Sequence, residues 1–192
     1  MLFRSGAAEA VLMTNHLGVY AYGVQFLAHE QDGFRTFYNP QSNESSVASE
    51  EGLQQFSGTR PCFLNSGSLP GYLVPLGLLK SASIPTLEPI FTYSYSAIIR
   101  ALFIRGICDF GVSYALTGDP RSASDILQNL PEAQSQVQII WRSNGIIPNT
   151  NLSASTTIPL VIQHRVQEAF LDLPNFPGGL VLLSQALNYD VE

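Results

Sequence analysis

Arg60-Pro61-Cys62-Phe63-Leu64-Asn65-Ser66-Gly67-Ser68-Leu69-Pro70-Gly71-Tyr72-Leu73-Val74-Pro75 reads as the end of a buried strand, a small hydroxyl-rich turn and the opening of a helix. The strand spans Arg60 to Leu64, the turn Asn65 to Pro70, and the helix Gly71 to Lys80. Pro70 suits the first helical turn, where a missing N–H is no loss. Pro75 bends that helix or shortens its first turn. The same unit then recurs. A strand from Pro89 to Thr92 precedes a helix from Ser94 to Arg105, with Ile98, Ala101 and Leu102 on one face and Gly106 at its end. Cys108 to Tyr114 returns as a strand. Strands separated by helices in this order predict the βαβ pattern of a parallel sheet, and so an α/β fold.

Working outward, Ala10 to Met13 is expected as a strand, Leu17 to Leu27 as a helix and Phe34 to Asn39 as extended chain. The polar stretch Gln41 to Gln55 comes next, with a short helical turn at Glu50 to Phe56. Downstream, Leu116 to Ala133 reads as loop with a short helix at Ser124 to Leu130, and Val137 to Trp141 as a strand broken by Ser143-Asn144-Gly145. In Pro159 to Leu173, Ile162, Val166, Ala169, Phe170 and Leu173 recur at helical spacing, and Leu180 to Leu187 is a terminal helix. Met1-Leu2-Phe3-Arg4 is not read as a signal peptide, because Glu9 and His16 interrupt the apolar run behind it and no small-residue cleavage site completes it. Ala7 to Tyr22 reads as chain already inside a domain, so a missing N-terminal portion, leader included, is expected upstream.

Composition narrows the partners. The 192 residues, 45% apolar, can bury one sizeable core or two small ones. Charged residues are 12% and the net charge is -6, which argues against a nucleic-acid partner needing clustered Lys and Arg. No window approaches the ~18 unbroken apolar residues of a membrane span. Neither an internal repeat nor a metal-ligand spacing is present, and no metal or cofactor is expected. Cys62 and Cys108, in different strands, are either buried thiols or one disulfide between neighbouring strands.

Ligands of open α/β sheets gather at the carboxyl ends of strands. That edge holds Asn65, Ser66, Gly67 and Ser68, directly before a helix whose N–H groups favour an anion or polar acceptor, although Ser68 could equally be a plain helix cap. Tyr95 and Ser96 come after the next strand, and Ser113 and Tyr114 end the third. An enzyme is not expected: the spacing around Ser68 misses the Gly-x-Ser-x-Gly elbow, and His16, His29 and His164 are scattered.

The Cys62 to Pro75 stretch resembles the phosphonate/sulfonate-binding family of type II periplasmic solute-binding proteins, where a strand ends in a Ser-Thr-Ser-Gly cradle and an aromatic, an aliphatic and a proline open the helix. Phe91-Thr92-Tyr93-Ser94-Tyr95-Ser96-Ala97 is similar to its Gly-Ser-His-Asp turn, and Gly106-Ile107-Cys108-Asp109-Phe110-Gly111 to its Gly-x-x-Asp-Ala strand. Ile140-Trp141-Arg142-Ser143 through Ile147-Pro148-Asn149 resembles its returning strand. The resemblance implies a two-lobed type II periplasmic-binding-protein fold with one lobe incomplete. Residues 7–38 and 143–192 would form parts of lobe 1, 39–59 a crossing and polar linker, and 60–142 lobe 2. It further implies a small polar or anionic solute in an inter-lobe cleft, a phosphate-like oxyanion among the options, with Thr14, Asn15 and Asn149 facing it from the opposite lobe. The expected setting is extracytoplasmic, as a monomer serving an ABC transporter membrane permease; an extracytoplasmic sensing domain of a receptor is the alternative. This chain departs from the family at Leu69-Pro70, which replaces Thr-Ser, and at Tyr95 and Ser96, which replace His and Asp. Each hydrogen bond so lost to a charged ligand weakens binding by about 1.5–3 kcal/mol, so a less charged or more aromatic solute carries equal weight.

Overall fold

The computed structural model describes residues 6–16 and 18–187. Along the chain run β1 (Ala8–Met13), β2 (Ala21–His29), β3 (Tyr38–Asn39), β4 (Glu44–Ser45), α1 (Ser49–Gly52), β5 (Pro61–Phe63), α2 (Val74–Ser81), β6 (Ile90–Phe91) and α3 (Tyr95–Ile104). Then come β7 (Phe110–Ala115), α4 (Ser124–Asn129), α5 (Ala133–Gln136), β8 (Val137–Arg142), β9 (Ile147–Pro148), β10 (Asn151–Ser155), α6 (Leu160–Leu171) and α7 (Gly179–Leu187). Contacts divide the chain into a larger unit, residues 15–149, and a smaller one made of residues 1–14 and 150–192.

The larger unit is built on a sheet in the order β6-β5-β7-β2-β8, with β9 also on β2. β5 runs parallel to β6 and β7, as the βαβ reading requires. β2 is antiparallel to β7, β8 and β9. Its residues 21–27 lie in the segment expected to be helical. Buried on both faces, such a run carries no polar side to distinguish the two periods. The strand wins because Gly23 admits a close neighbour: a Cβ there would sit 2.7 Å from the Ser143 carbonyl oxygen. As a central strand of this sheet, β2 groups with residues 60–142 inside the larger unit.

Apolar residues cover both faces of the sheet. Phe26, Phe56, Phe63, Phe110, Val112 and Trp141 form one core. Leu27, Ile98, Ile99, Leu102, Ile126 and Ile139 form the other, under α3 to α5. Cys62 and Cys108 are joined by a disulfide with Cα atoms 5.7 Å apart, which decides between the two readings of these cysteines. The polar stretch holds a hairpin, Tyr38 pairing with Ser45 and Asn39 with Glu44. Asn43, in its loop, has φ 59°, a left-handed conformation that asparagine tolerates.

In the smaller unit β1 pairs antiparallel with β10, the register slipping between Ala10 and Leu12. Among its described residues only Gln163 and Gly179 are buried. The apolar stripe anticipated on α6 is there in spacing but open to solvent at Ile162, Val166 and Phe170, 38–45% exposed. Among the described residues, no helix is long and apolar enough to cross a membrane.

Candidate ligand-binding site

The turn after β5 folds back on itself. The Ser68 side chain caps the helical start by accepting from the Gly71 N–H at 3.0 Å. The Leu73 N–H reaches the Ser68 carbonyl at 2.9 Å, so residues 69–73 form one wide π turn before α2. Pro70 and Pro75 set this entry: neither has an N–H to lose, and the α-helix proper begins at Val74. Gly71 is enclosed, since a Cβ there would lie 2.5 Å from Leu64 Cβ, 2.9 Å from Ser68 Oγ and 3.2 Å from Tyr95 Oη.

That crowding shows where Tyr95 goes. Ser94 caps α3, accepting from the Ala97 N–H at 3.4 Å, and places Tyr95 at the first helical position with its phenol beside Ser68. The Tyr95 ring meets Tyr114, at the end of β7, edge to face with centroids 5.0 Å apart. Hydroxyl-bearing groups from three successive sheet edges therefore meet: Ser68 after β5, Tyr95 after β6 and Tyr114 on β7.

These phenols stay protonated. Burial raises Tyr95 to about 12; hydrogen bonding with Ser68 opposes the rise, while Tyr22 and Tyr114 add to it. Burial also raises Tyr22 and Tyr114, the latter with help from the Asp119 charge. At neutral pH the cluster offers neutral O–H groups able to donate and accept.

The remaining predicted residues are placed differently. Asn65 accepts from the Gly67 N–H at 3.0 Å, and the Ser68 N–H reaches the Asn65 carbonyl at 3.2 Å. The N–H groups of Gly67, Ser68 and Gly71 are thus used within the turn, while Ser66 and Gly67 are exposed. Ser96 donates to Asp125 at 3.1 Å, joining α3 to α4. Ser113 is fully buried, accepts from Gln25 Nε2 at 3.0 Å and donates to the Tyr114 carbonyl at 3.1 Å, so it braces the strand beneath the cluster. Asn149, 6% exposed, donates to the Val19 carbonyl at 2.7 Å and fastens the chain beside β9. Thr14 belongs to the smaller unit and donates to the Thr150 carbonyl at 3.1 Å, while Asn15 is exposed at the start of the larger unit.

Two features escaped the sequence reading. Tyr22 joins the phenols electrostatically, and it was hidden inside the presumed helix. Arg142, at the end of β8, is buried in register with Gln25 on β2, which in turn faces Ser113 on β7. Its guanidinium donates to Gln25 Oε1 at 3.2 Å and 2.6 Å, to Tyr38 Oη at 3.3 Å and to Asn43 Oδ1, and stacks 4.6 Å from the Tyr38 ring centre. Only the pairing of β2 with β8 brings these together. Among the described residues, no group of three or more His, Cys, Asp or Glu could hold a metal ion.

Comparison with known proteins places this geometry. A chloride-bound XAC2383 from Xanthomonas citri superposes with a TM-score of 0.67 at 16% identity, over 95% of this chain and 63% of its own. PhnD1 from Prochlorococcus marinus, in complex with methylphosphonate, gives 0.56 at 14% identity over 94% and 64%. A binding protein component of an ABC phosphonate transporter from Pseudomonas aeruginosa gives 0.51 at 15% identity over 85% and 48%. The chain thus spans just under two thirds of the length of the first two. No curated protein sequence matches it significantly. The likenesses show the expected fold, that of type II periplasmic binding proteins. The family model for the ABC transporter phosphonate periplasmic substrate-binding protein matches residues 2–190, and with nearly the whole chain inside that match the protein belongs to this family.

Proposed function

We propose that this chain is the substrate-binding component of an ABC importer and takes a small polar or anionic solute at the rim formed by Ser68, Tyr95 and Tyr114. The observation that carries the reading is the meeting of these three side chains from consecutive sheet edges. Neutral phenols and a serine hydroxyl select by hydrogen bonding and leave the solute unchanged for release to a membrane permease. A disulfide fits an extracytoplasmic setting, where thiols are oxidised. The methylphosphonate held by the Prochlorococcus relative is one class to test. Leu69 and Pro70 and the inward-turned N–H groups weigh against carrying it over directly.

The test is titration calorimetry of the chain against phosphonates, other oxyanions and small neutral polar solutes, repeated with Ser68→Ala and Tyr95→Phe. Losing one hydrogen bond should weaken binding by about 0.5–1.5 kcal/mol for a neutral solute and about 1.5–3 kcal/mol for a charged one. Unchanged affinity in both variants would remove this rim as the binding site.

A further inference from the structure

Tyr93 stands in the turn between β6 and α3 and is the most exposed large apolar or aromatic side chain among the described residues, at 78%. Its backbone is left-handed, with φ 61°, an outlier for so bulky a residue and a conformation that glycine or asparagine occupies more easily. Helix packing does not account for the ring. Tyr93 immediately precedes Ser94, the cap of α3, a position from which an aromatic ordinarily packs down on the fourth helical residue. That residue is Ile98, fully buried while the Tyr93 ring stays in solvent. A strained, exposed aromatic of this kind points to a role other than holding the fold.

The turn that carries Tyr93 is fixed beside the rim. The Tyr93 N–H donates to the Leu64 carbonyl at 2.8 Å, and the Leu64 N–H donates to the Gly71 carbonyl at 3.0 Å. Leu64 thereby ties this turn to Gly71, whose surroundings hold Ser68 Oγ and Tyr95 Oη. Two further apolar side chains are open at the same place. Leu69 and Leu73 begin and end the π turn, 50% and 45% exposed, and the Leu73 N–H is bonded to the Ser68 carbonyl. One aromatic and two leucines thus flank the hydroxyls of Ser68 and Tyr95. Apolar surface gains free energy when a ligand covers it, and a tyrosine ring gains more against another π system. The hydroxyls ask only for a hydrogen-bonding head, whereas the apolar flank asks for a body attached to it.

We infer that the solute taken at this rim joins a hydrogen-bonding head to an apolar ring, and that Tyr93 is the residue that selects the ring. The inference rests on the solute-binding reading above and names the class of solute within it. The head meets Ser68, Tyr95 and Tyr114, and the ring covers Tyr93.

The experiment measures calorimetric affinity for pairs that share a head and differ in the body: acetamide and benzamide, methanesulfonate and benzenesulfonate, methylphosphonate and phenylphosphonate. For whichever head binds, the ring-bearing member should bind on the order of tenfold tighter in the wild-type chain. Tyr93→Asn removes the ring and suits the left-handed turn. It should reduce that ratio to about threefold or less and melt at or above the wild-type temperature. Tyr93→Phe should keep the ratio. A wild-type ratio near one, a ratio that survives Tyr93→Asn, or a lower melting temperature in Tyr93→Asn each overturns the inference, the last by giving the ring a structural role. A wild-type dimer that Tyr93→Asn dissociates in analytical ultracentrifugation assigns the ring to a second copy and overturns it as well. Absence of binding by every probe brings down the solute-binding reading itself, and this inference with it.

Discussion

Cutting the Cys62–Cys108 disulfide should lower the stability of the larger unit sharply while leaving its rim intact below the melting point. The bond spans a sequence separation of 46 residues. Closing a loop of that length removes about 4 kcal/mol of chain entropy from the unfolded state. Cys62 lies beside Gly111 in the parallel pairing of β5 with β7, so the bond staples neighbours that the sheet already holds. Residual structure in the unfolded chain brings the expected loss to about 2–4 kcal/mol. For a chain of this size that corresponds to a melting temperature lower by roughly 5–15 °C. Circular dichroism melts of the oxidised chain, the chain in reductant and the Cys62→Ala/Cys108→Ala double variant would read it. Cys108 precedes β7, whereas Tyr114 lies near its other end, so solute affinity of the folded variant should match wild type. A shift under about 2 °C in both treatments, or two thiols titrating in the native protein, would refute the reasoning.

Two further predictions concern the rim. Gly71→Ala forces a methyl group to within 2.5 Å of Leu64 Cβ. It should cost about 1–3 kcal/mol in denaturant unfolding and weaken solute binding by displacing Ser68 and Tyr95; wild-type behaviour in both assays would contradict the close packing described. Tyr95, pushed up to about 12, keeps its proton in the folded chain after the unfolded chain has lost it. The unfolded state then binds fewer protons, so stability should hold below pH 10 and fall as pH rises from about 10 to 12. Tyr95→Phe should flatten that decline when stability is measured by urea unfolding at a series of pH values, and an equally steep decline in the variant would discredit the assignment.

How much of this was readable beforehand depends on whether the signal was local. The strand, turn and helix around Ser68, with prolines at the helical entry and Ser94 and Gly106 flanking the next helix, obey short-range rules, and the parallel β6-β5-β7 core results from them. The meeting of Ser68, Tyr95 and Tyr114 was legible for the same reason, because each sits at the same end of its strand. β2 was not. Val24, Phe26 and Ala28 serve one core and Leu27 the other, so apolar residues stand on both faces of the run, and the need for glycine at position 23 arises from Ser143, far along the chain. Losing that strand also hid Tyr22 and the Ser113–Gln25–Arg142 row. The stretch read as linker likewise gave no sign that its hairpin would roof an arginine, because cross-strand register is a long-range property.

The pairing of β1 with β10 constrains the order in which the protein takes shape as it is made. One partner emerges from the ribosome early and must wait, unpaired, until the whole insert between them has been translated. The insert needs no such delay, since every strand of its sheet lies between Asn15 and Asn149. Assembly should therefore proceed from the middle of the chain outward, with the two flanks joining last.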